Sequence, residues 1–309
     1  MTRHGYFGPR GTFTQMALRD WLADDDAAFA EAVPFATVPA ALDGVRTGEV
    51  DVVMVPIENS VEGGVSATLD ALNSGDPLSI QGEVLVPIKF VLAARAGTQR
   101  ADINGVGSHS HAWPQVRAWM AKELPRAAYV PALSTAAAAE ALASGEAQPF
   151  EAAVCAPLAA DVFDLEVLAH DIGDNASAVT RFVLVGRRGL VPARTGADKT
   201  SVVLFQHDDH AGGLLQLLEQ FAARGINLTL LESRPTGAAM GSYCFSVDFE
   251  GHLDDERVAE ALLGLRRVSA DIRFLGSYPR ADGQASDVVR TAADESYASA
   301  REWLRGLRG

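Results

Sequence analysis

Cysteine is almost missing from this chain: Cys155 and Cys244 are the two in 309 residues. They are too few for a disulfide framework, and neither has a second Cys or a His at metal-ligand spacing. Cys155 lies in an apolar run and Cys244 in a strand-like stretch, so both read as core thiols. Long hydrophobic runs are missing too. No stretch approaches the roughly 20 apolar residues of a membrane span. Met1-Thr2-Arg3-His4 leads into a strand-like segment with no signal-peptide core, so a cytoplasmic protein without a membrane partner is expected. Positive charge is short: 26 Lys and Arg against 40 Asp and Glu leave a net charge of −14, which opposes nucleic acid over the whole surface. A Walker loop, a metal-ligand cluster and a dinucleotide fingerprint are absent, since Gly105-x-Gly107 lacks its third glycine. The expected partner is a small metabolite, handled without cofactor or metal.

What is present is ordinary globular material, 48% hydrophobic and 21% charged, enough for two or three domains. Its most informative segment is Pro56-Ile57-Glu58-Asn59-Ser60-Val61-Glu62-Gly63-Gly64-Val65. An apolar strand, Val50 to Pro56, ends there in polar residues, and strand ends are where open α/β sheets put their ligand contacts. Before it come a strand at Tyr6-Phe7, a helix that Thr14 would cap, a strand at Val33 to Phe35 and a helix with Ala41, Leu42 and Val45. That βαβαβ order predicts a mostly parallel sheet covered by helices. Extended apolar residues from Ile80 to Leu92 would carry the chain into a second lobe with the same grammar. Its expected pieces are a strand Ile103–Gly107, a helix opened by Ser108-His109, a strand at Ala128 to Val130, an alanine-rich helix opened by Ser134-Thr135 and a strand at Ala152 to Cys155. Leu165–Leu168 and Arg181–Gly186 read as returning strands, so the first lobe is completed by residues after the second. Two lobes leave a cleft.

Thr12, Asn59-Ser60, Ser108-His109 and Ser134-Thr135 each stand before an expected helix. Such N-termini offer unpaired N–H groups, and several aimed into one cleft would bind a carboxylate without a basic protein overall. Each hydroxyl is equally an ordinary N-cap. His109 is open as ligand, acid or cap. Glu58 and Glu62 stand four apart, but their glycine-bearing loop gives no reason to expect a glycosidase-like pair. After a Gly-, Arg- and Pro-rich linker, a third unit reads βαββαβ, a ferredoxin-like order, with Leu214, Leu218 and Phe221 on one helix face. The tail is expected to finish as a helix carrying Ala300, Trp303, Leu304 and Leu307.

Four blocks now stand in order: Pro56 to Val65, Ser108-His109 with Gln115 downstream, Thr180-Arg181-Phe182, and Gly225-Ile226-Asn227-Leu228-Thr229-Leu230-Leu231-Glu232-Ser233-Arg234-Pro235. Together they resemble the prephenate dehydratase family over roughly residues 3 to 279. The resemblance implies an α/β fold with a two-lobed, periplasmic-binding-protein-like (type II) catalytic domain and a ferredoxin-like ACT regulatory domain. The implied bounds are 1–188 for the catalytic domain (lobe 1 about 1–80 and 170–188, lobe 2 about 81–169), 189–199 for the linker, 200–279 for the ACT domain and 280–309 for the tail. It implies loss of CO2 and hydroxide from prephenate to give phenylpyruvate, with no cofactor. No chorismate-mutase-like stretch precedes residue 1, so one activity is expected. Carried over, Thr180 is the donor to the departing hydroxyl, with Asn59, Ser108 and Gln115 as further catalytic positions. Glu58, Ser60, His109, Ser134, Thr135, Arg181, Phe182 and Thr12 are implied as substrate contacts. Arg181 is open as a carboxylate clamp or a structural cation paired near Asp171 and Asp174, and Phe182 as core packing behind Thr180.

The resemblance also implies a phenylalanine pocket between paired ACT domains, at Gly212, Gly213, Leu214, Asn227, Leu228, Glu232, Ser233 and Arg234, in a homodimer or homotetramer. The chain departs from the family pattern in places. The usual Ser-His-Pro-Gln-Ala is Ser108-His109-Ser110-His111-Ala112, Val116 stands where a cysteine is common, and the asparagine before Thr180 is further back at Asn175. The usual Gly-Ala-Leu is Gly212-Gly213-Leu214. Two alternatives remain at this point: an arogenate dehydratase, or a sensor of amino acids or carboxylates.

Overall fold

A computed structural model describes residues 2–189, 191–207, 210–236 and 243–308. The expected bounds at Met1 and Gly309, and Leu190 of the linker, lie outside the described residues, as do 208–209 and 237–242 of the third unit. Strand β1 (His4–Phe7) leads to helices α1 (Phe13–Leu22) and α2 (Asp26–Ala30), then β2 (Val33–Phe35), α3 (Val38–Thr47) and β3 (Val52–Asn59). β1 pairs in parallel with both β2 and β3, as helical crossovers allow. The cap of α1 is Thr12, not Thr14. Thr12 has the extended backbone a cap needs and accepts from Gln15 N–H, whereas Thr14 is already inside the helix and buried.

The polar segment after β3 also differs from the expectation. β3 continues to Asn59, and β4 (Gly63–Gly64) folds back on it, pairing Asn59 with Gly63 and Glu58 with Gly64. Gly63 supplies the left-handed φ of 82° that the return needs. Asn59-Ser60 therefore open a hairpin, and helix α4 (Ser66–Asn73) starts later.

Strands β5 (Leu78–Pro87), β6 (Val91–Ala94) and β7 (Gly105–Ser108) come next. Ser108 ends β7 and opens no helix. A turn and a 3-10 segment (Trp113–Val116) intervene before α5 (Arg117–Glu123), whose first N–H groups are capped from a distance by the Asp174 carboxylate. The rest is β8 (Ala128–Pro131), α6 (Thr135–Ala143), β9 (Ala152–Cys155), α7 (Pro157–Val162), β10 (Glu166–Ala169) and β11 (Val179–Arg187). One sheet runs β2-β1-β3-β11-β5 with β4 beside β3, and the second runs β10-β6-β9-β7-β8. Of the two returning strands only β11 reaches the first sheet; β10 pairs antiparallel with β6 at the edge of the second.

By internal contacts the chain forms two compact units, Met1–Val65 with Val84–Phe182 and Ser66–Glu83 with Val183–Gly309. In the first, Phe90, Leu92, Val106, Met120 and Val154 form one core. Ala136, Ala139, Ala159 and Cys155 form another, where methyl-sized side chains let helices lie close to the sheet. Burial pushes the Cys155 thiol up to about 12, which makes it inert, as expected of a core thiol.

The second unit holds β12 (Asp198–Phe205), α8 (Gly213–Ala222), β13 (Leu228–Pro235), β14 (Tyr243–Glu250), α9 (Glu256–Val268) and β15 (Asp271–Pro279), the expected βαββαβ order. Its sheet runs β13-β14-β12-β15, with every pairing antiparallel. The fully buried residues of α8 are Gly213, Leu217 and Phe221; of the expected face, Phe221 is among them and Leu214 packs half-buried against the same core. Helix α4 belongs here. Arg234 grips Asp70 through two bonds of 2.8 and 2.7 Å, and Arg273 donates to the carbonyls of Leu72, Ser74 and Gly75 at the end of that helix. The tail forms α10 (Asp294–Arg308), with Trp303, Leu304 and Leu307 exposed. Among the described residues no helix is long and apolar enough to cross a membrane.

Candidate active site

A cavity of about 280 Å³ opens in the first unit, between the loops of its two sheets. Strand alternation decides what β11 shows it: Thr180 and Phe182 line the cavity, and Arg181 points the other way. There its guanidinium meets Glu58 at 3.0 Å. This corrects two expectations. Glu58 and Arg181 are not among the residues lining the cavity, and Arg181 is ion-paired with Glu58, a partner not among those expected. Phe182, 2% exposed, is both core and cavity floor.

Five hydrogen bonds fix the orientation of Thr180. Ser60 ties the start of β11 to the end of β3: its N–H donates to Val179 O at 2.9 Å, and its hydroxyl accepts from Val179 N at 3.0 Å. Ser60 thus acts on backbone and does not line the cavity. Asn59 Oδ1 accepts from the N–H groups of Val61 and Glu62 at 2.8 and 3.2 Å, which leaves its Nδ2 facing Thr180 Oγ1 at 2.7 Å. An amide nitrogen only donates. The Thr180 oxygen must accept, and its own hydrogen is directed away from Asn59.

The helix starts lie where dipoles would meet an anion. Thr12 accepts from Gln15 N–H and donates to Pro9 O at 3.1 Å, and Ser134 accepts from Ala137 N–H at 2.9 Å. Both hydroxyls are occupied as caps, so what α1 and α6 offer at Phe13, Thr14 and Thr135 is first-turn N–H groups with partial positive charge. One helix comes from each sheet. Removing the cap in Ser134→Ala is expected to cost about 1 kcal/mol of stability and to raise KM severalfold with kcat nearly unchanged; thermal melts and steady-state kinetics check both.

On the second-sheet side His109, His111 and Gln115 line the cavity. His109 Nδ1 accepts from His111 N–H at 3.3 Å, so its neutral ring carries the proton on Nε2. Burial, then neighbouring His111, holds its pKa below the ordinary value, with Glu62 opposing. Gln115 Nε2 donates to His111 O at 2.9 Å. Ser108 is not on this wall: it is fully buried, and its hydroxyl donates to Val154 O at 3.2 Å. It braces β7 against β9.

Apolar residues complete the lining. Phe7, Ile88, Phe90 and Phe13 form a floor, with Phe13 edge-on to Phe90 at 5.5 Å. Leu133, 95% exposed, stands at the rim. These residues, with Glu62 and His111, were missed from the sequence. Leu133 precedes the N-cap Ser134, where an apolar residue normally staples onto its helix, so its sequence pointed to packing and its exposure came only with the structure. The lining combines an apolar floor, first-turn N–H groups of α1 and α6 and the Thr180 hydroxyl, which suits an apolar ligand carrying carboxylate.

The second unit has a cavity of about 390 Å³. Gly212, Gly213, Leu214 and Ser233, four of the residues implied for the effector pocket, line it with Gln206, His210 and Tyr243. Asn227 and Leu228 do not. Asn227 donates to Glu250 at 3.3 Å, and Leu228 pairs with Phe249, at the far end of β13, roughly 17 Å of strand from Ser233. Glu232 is off the lining too, and Arg234 is engaged by Asp70.

The family model for prephenate dehydratase matches residues 4–189, and that for the ACT domain residues 201–267. A curated prephenate dehydratase of Amycolatopsis methanolica is 46% identical over 309 residues, covering 100% of this chain and 98% of its own. One of Mycolicibacterium vanbaalenii is 46% identical over 313 residues, covering 98% and 97%. The crystal structure of prephenate dehydratase from Arthrobacter aurescens in complex with L-Phe matches with a TM-score of 0.93 at 53% identity, covering 99% of this chain and 100% of that one.

Proposed function

This chain belongs to the prephenate dehydratase family, and from that premise we propose that it converts prephenate to phenylpyruvate, CO2 and water in phenylalanine biosynthesis, under regulation by L-phenylalanine. The observation that carries the reading is the Thr180 hydroxyl, made an acceptor by Asn59 and set between two helix N-termini. Prephenate is a dianion with a ring hydroxyl para to the carbon bearing one carboxylate. The bond to that carboxylate breaks and releases CO2. Its electron pair moves through the ring diene and expels hydroxide, and the ring becomes aromatic. Hydroxide is a poor leaving group, so a donor at the departing oxygen lowers the barrier.

Thr180, its oxygen already accepting from Asn59 Nδ2, donates a hydrogen bond to that departing oxygen and stabilises the charge growing on it. The first turns of α1 and α6 hold the carboxylates, the Phe13 and Phe90 floor holds the ring, and His109 Nε2–H and Gln115 add donors. Arg181 and Glu58 brace β11 behind them. Residues 1–188 are the catalytic domain, with lobes of about 1–80 plus 170–188 and about 81–169; 189–199 link it to the ACT domain at 200–279, and 280–309 form the tail. A cytoplasmic setting accords with two unpaired thiols.

The ACT cavity is the phenylalanine site. β13 is an edge strand, and an edge of this kind is completed by an identical one in a second copy. Antiparallel pairing about a two-fold axis swaps ends, bringing Asn227 and Leu228 of one copy beside Ser233 and Gly212 of the other. That explains why one chain holds only part of the implied pocket, and it makes the enzyme a homodimer, or a tetramer of two such pairs.

The test is phenylpyruvate formation by purified protein, with arogenate alongside and L-phenylalanine titrated in. Turnover of prephenate that phenylalanine suppresses is expected. Preference for arogenate would replace the substrate, and no turnover of either would leave a sensor.

A further inference from the structure

Among the described residues that line the catalytic cleft, Glu62 is the one carboxylate, and none is a lysine or arginine. An acid here opposes a dianion, so its presence asks for a compensating role. Glu62 Oε2 lies 3.5 Å from His111 Nδ1. Glu62 sits on the hairpin turn of the first sheet and His111 on the turn after β7 of the second, so the contact spans the cleft.

Each partner also orients the polar groups beside it through backbone. Glu62 N–H donates to Asn59 Oδ1 at 3.2 Å, one of the bonds that turn Nδ2 toward Thr180. His111 O accepts from Gln115 Nε2 at 2.9 Å, and His111 N–H donates to His109 Nδ1 at 3.3 Å. The pair therefore joins the turn that sets Asn59 to the turn that sets Gln115 and His109.

We propose that Glu62 and His111 form an ionic latch across the cleft: with His111 protonated, the pair cancels the Glu62 charge and holds the two turns in register for the dehydration. They are positioning residues, acting through Asn59, Gln115 and His109. The titratable side chains sharing the cleft with His111 are Glu62, from the first sheet, and His109, from its own turn, with ring centres 5.1 Å apart. Burial, then His111 itself, lowers the His109 pKa, with Glu62 opposing.

The inference rests on the dehydratase reading. It is tested with full-length protein, Glu62→Gln, His111→Gln and the double variant, by prephenate kinetics at about pH 6 and about pH 9, which bracket imidazole titration. At the lower pH each single variant is expected to lose about fivefold in kcat with KM within about twofold. The double variant should lose no more than either single. Near pH 9 the ratio of parent to variant should shrink to about one. Both side chains are more than 45% exposed, so melting temperatures should stay put. Additive losses, a loss confined to KM, or variants with parental kcat at both pH values would each overturn the latch while leaving the dehydratase reading intact. A parent that leaves prephenate untouched would overturn both.

Discussion

Thr180→Val is expected to lower kcat for phenylpyruvate formation by about 10²- to 10³-fold, with KM changed by no more than a few fold, the usual scale for loss of one preorganised donor to developing charge. The side chain keeps its shape and loses the hydrogen that meets the departing hydroxyl. A companion variant isolates the direction of that hydrogen bond. Asn59→Asp preserves volume, but a carboxylate has no hydrogen to donate. It would draw the Thr180 hydrogen to itself and away from the substrate, so a comparable loss in kcat is expected although Thr180 is still present. Binding at the helix N-termini should persist, and with it most of the KM. Stability must be followed in both cases, because Asn59 also caps the turn at Val61 and Glu62. Thr180→Val with kcat near that of the parent would remove Thr180 from the chemistry and return the role of donor to His109 or Gln115.

Local chemistry was legible in the sequence: Ser134 before an alanine-rich run is an N-cap, and the βαββαβ order of the third unit follows from its periodicity. Alternation was legible but unused, because Thr180 and Phe182 on one face of a strand already put Arg181 on the other. Partners distant in the chain were not legible. Nothing in the order of residues says that Glu58 meets Arg181 across 123 positions, that Ser108 turns inward to Val154, or that the Asp174 carboxylate caps α5. Asn59 was identified by its motif, but the hairpin that fixes its amide depends on β4, two glycines with no apolar pattern to announce a strand. The effector residues were split for another reason. A motif is linear, and Asn227 and Ser233 lie at opposite ends of one extended strand.

The second large effect is expected at the regulatory pocket. Gly212 is the N-cap of α8 with φ 86° and ψ −2°, and a Cβ built there meets nothing within 4 Å. Gly212→Val therefore introduces about 1–2 kcal/mol of left-handed backbone strain and puts a branched side chain at the edge of the proposed phenylalanine cavity. The phenylalanine concentration for half-inhibition should rise about 100-fold, close to 2.7 kcal/mol of effector binding, with phenylalanine-free kcat and KM within about twofold. Gly213→Ala is the mild control. Its Cβ would approach Gln206 Nε2 at 2.6 Å, but that is the end of a flexible side chain that can yield, so a small change is expected. Linkage supplies an independent check, since effector and substrate must weaken each other's binding by the same factor. Calorimetric titration of phenylalanine with and without a bound, unreactive prephenate analogue measures it in the parent. A Gly212→Val enzyme inhibited like the parent would place the effector elsewhere, and because Asn227 is expected to reach this pocket only from a second copy, Asn227→Ala with unaltered phenylalanine affinity would count against the paired β13 edges.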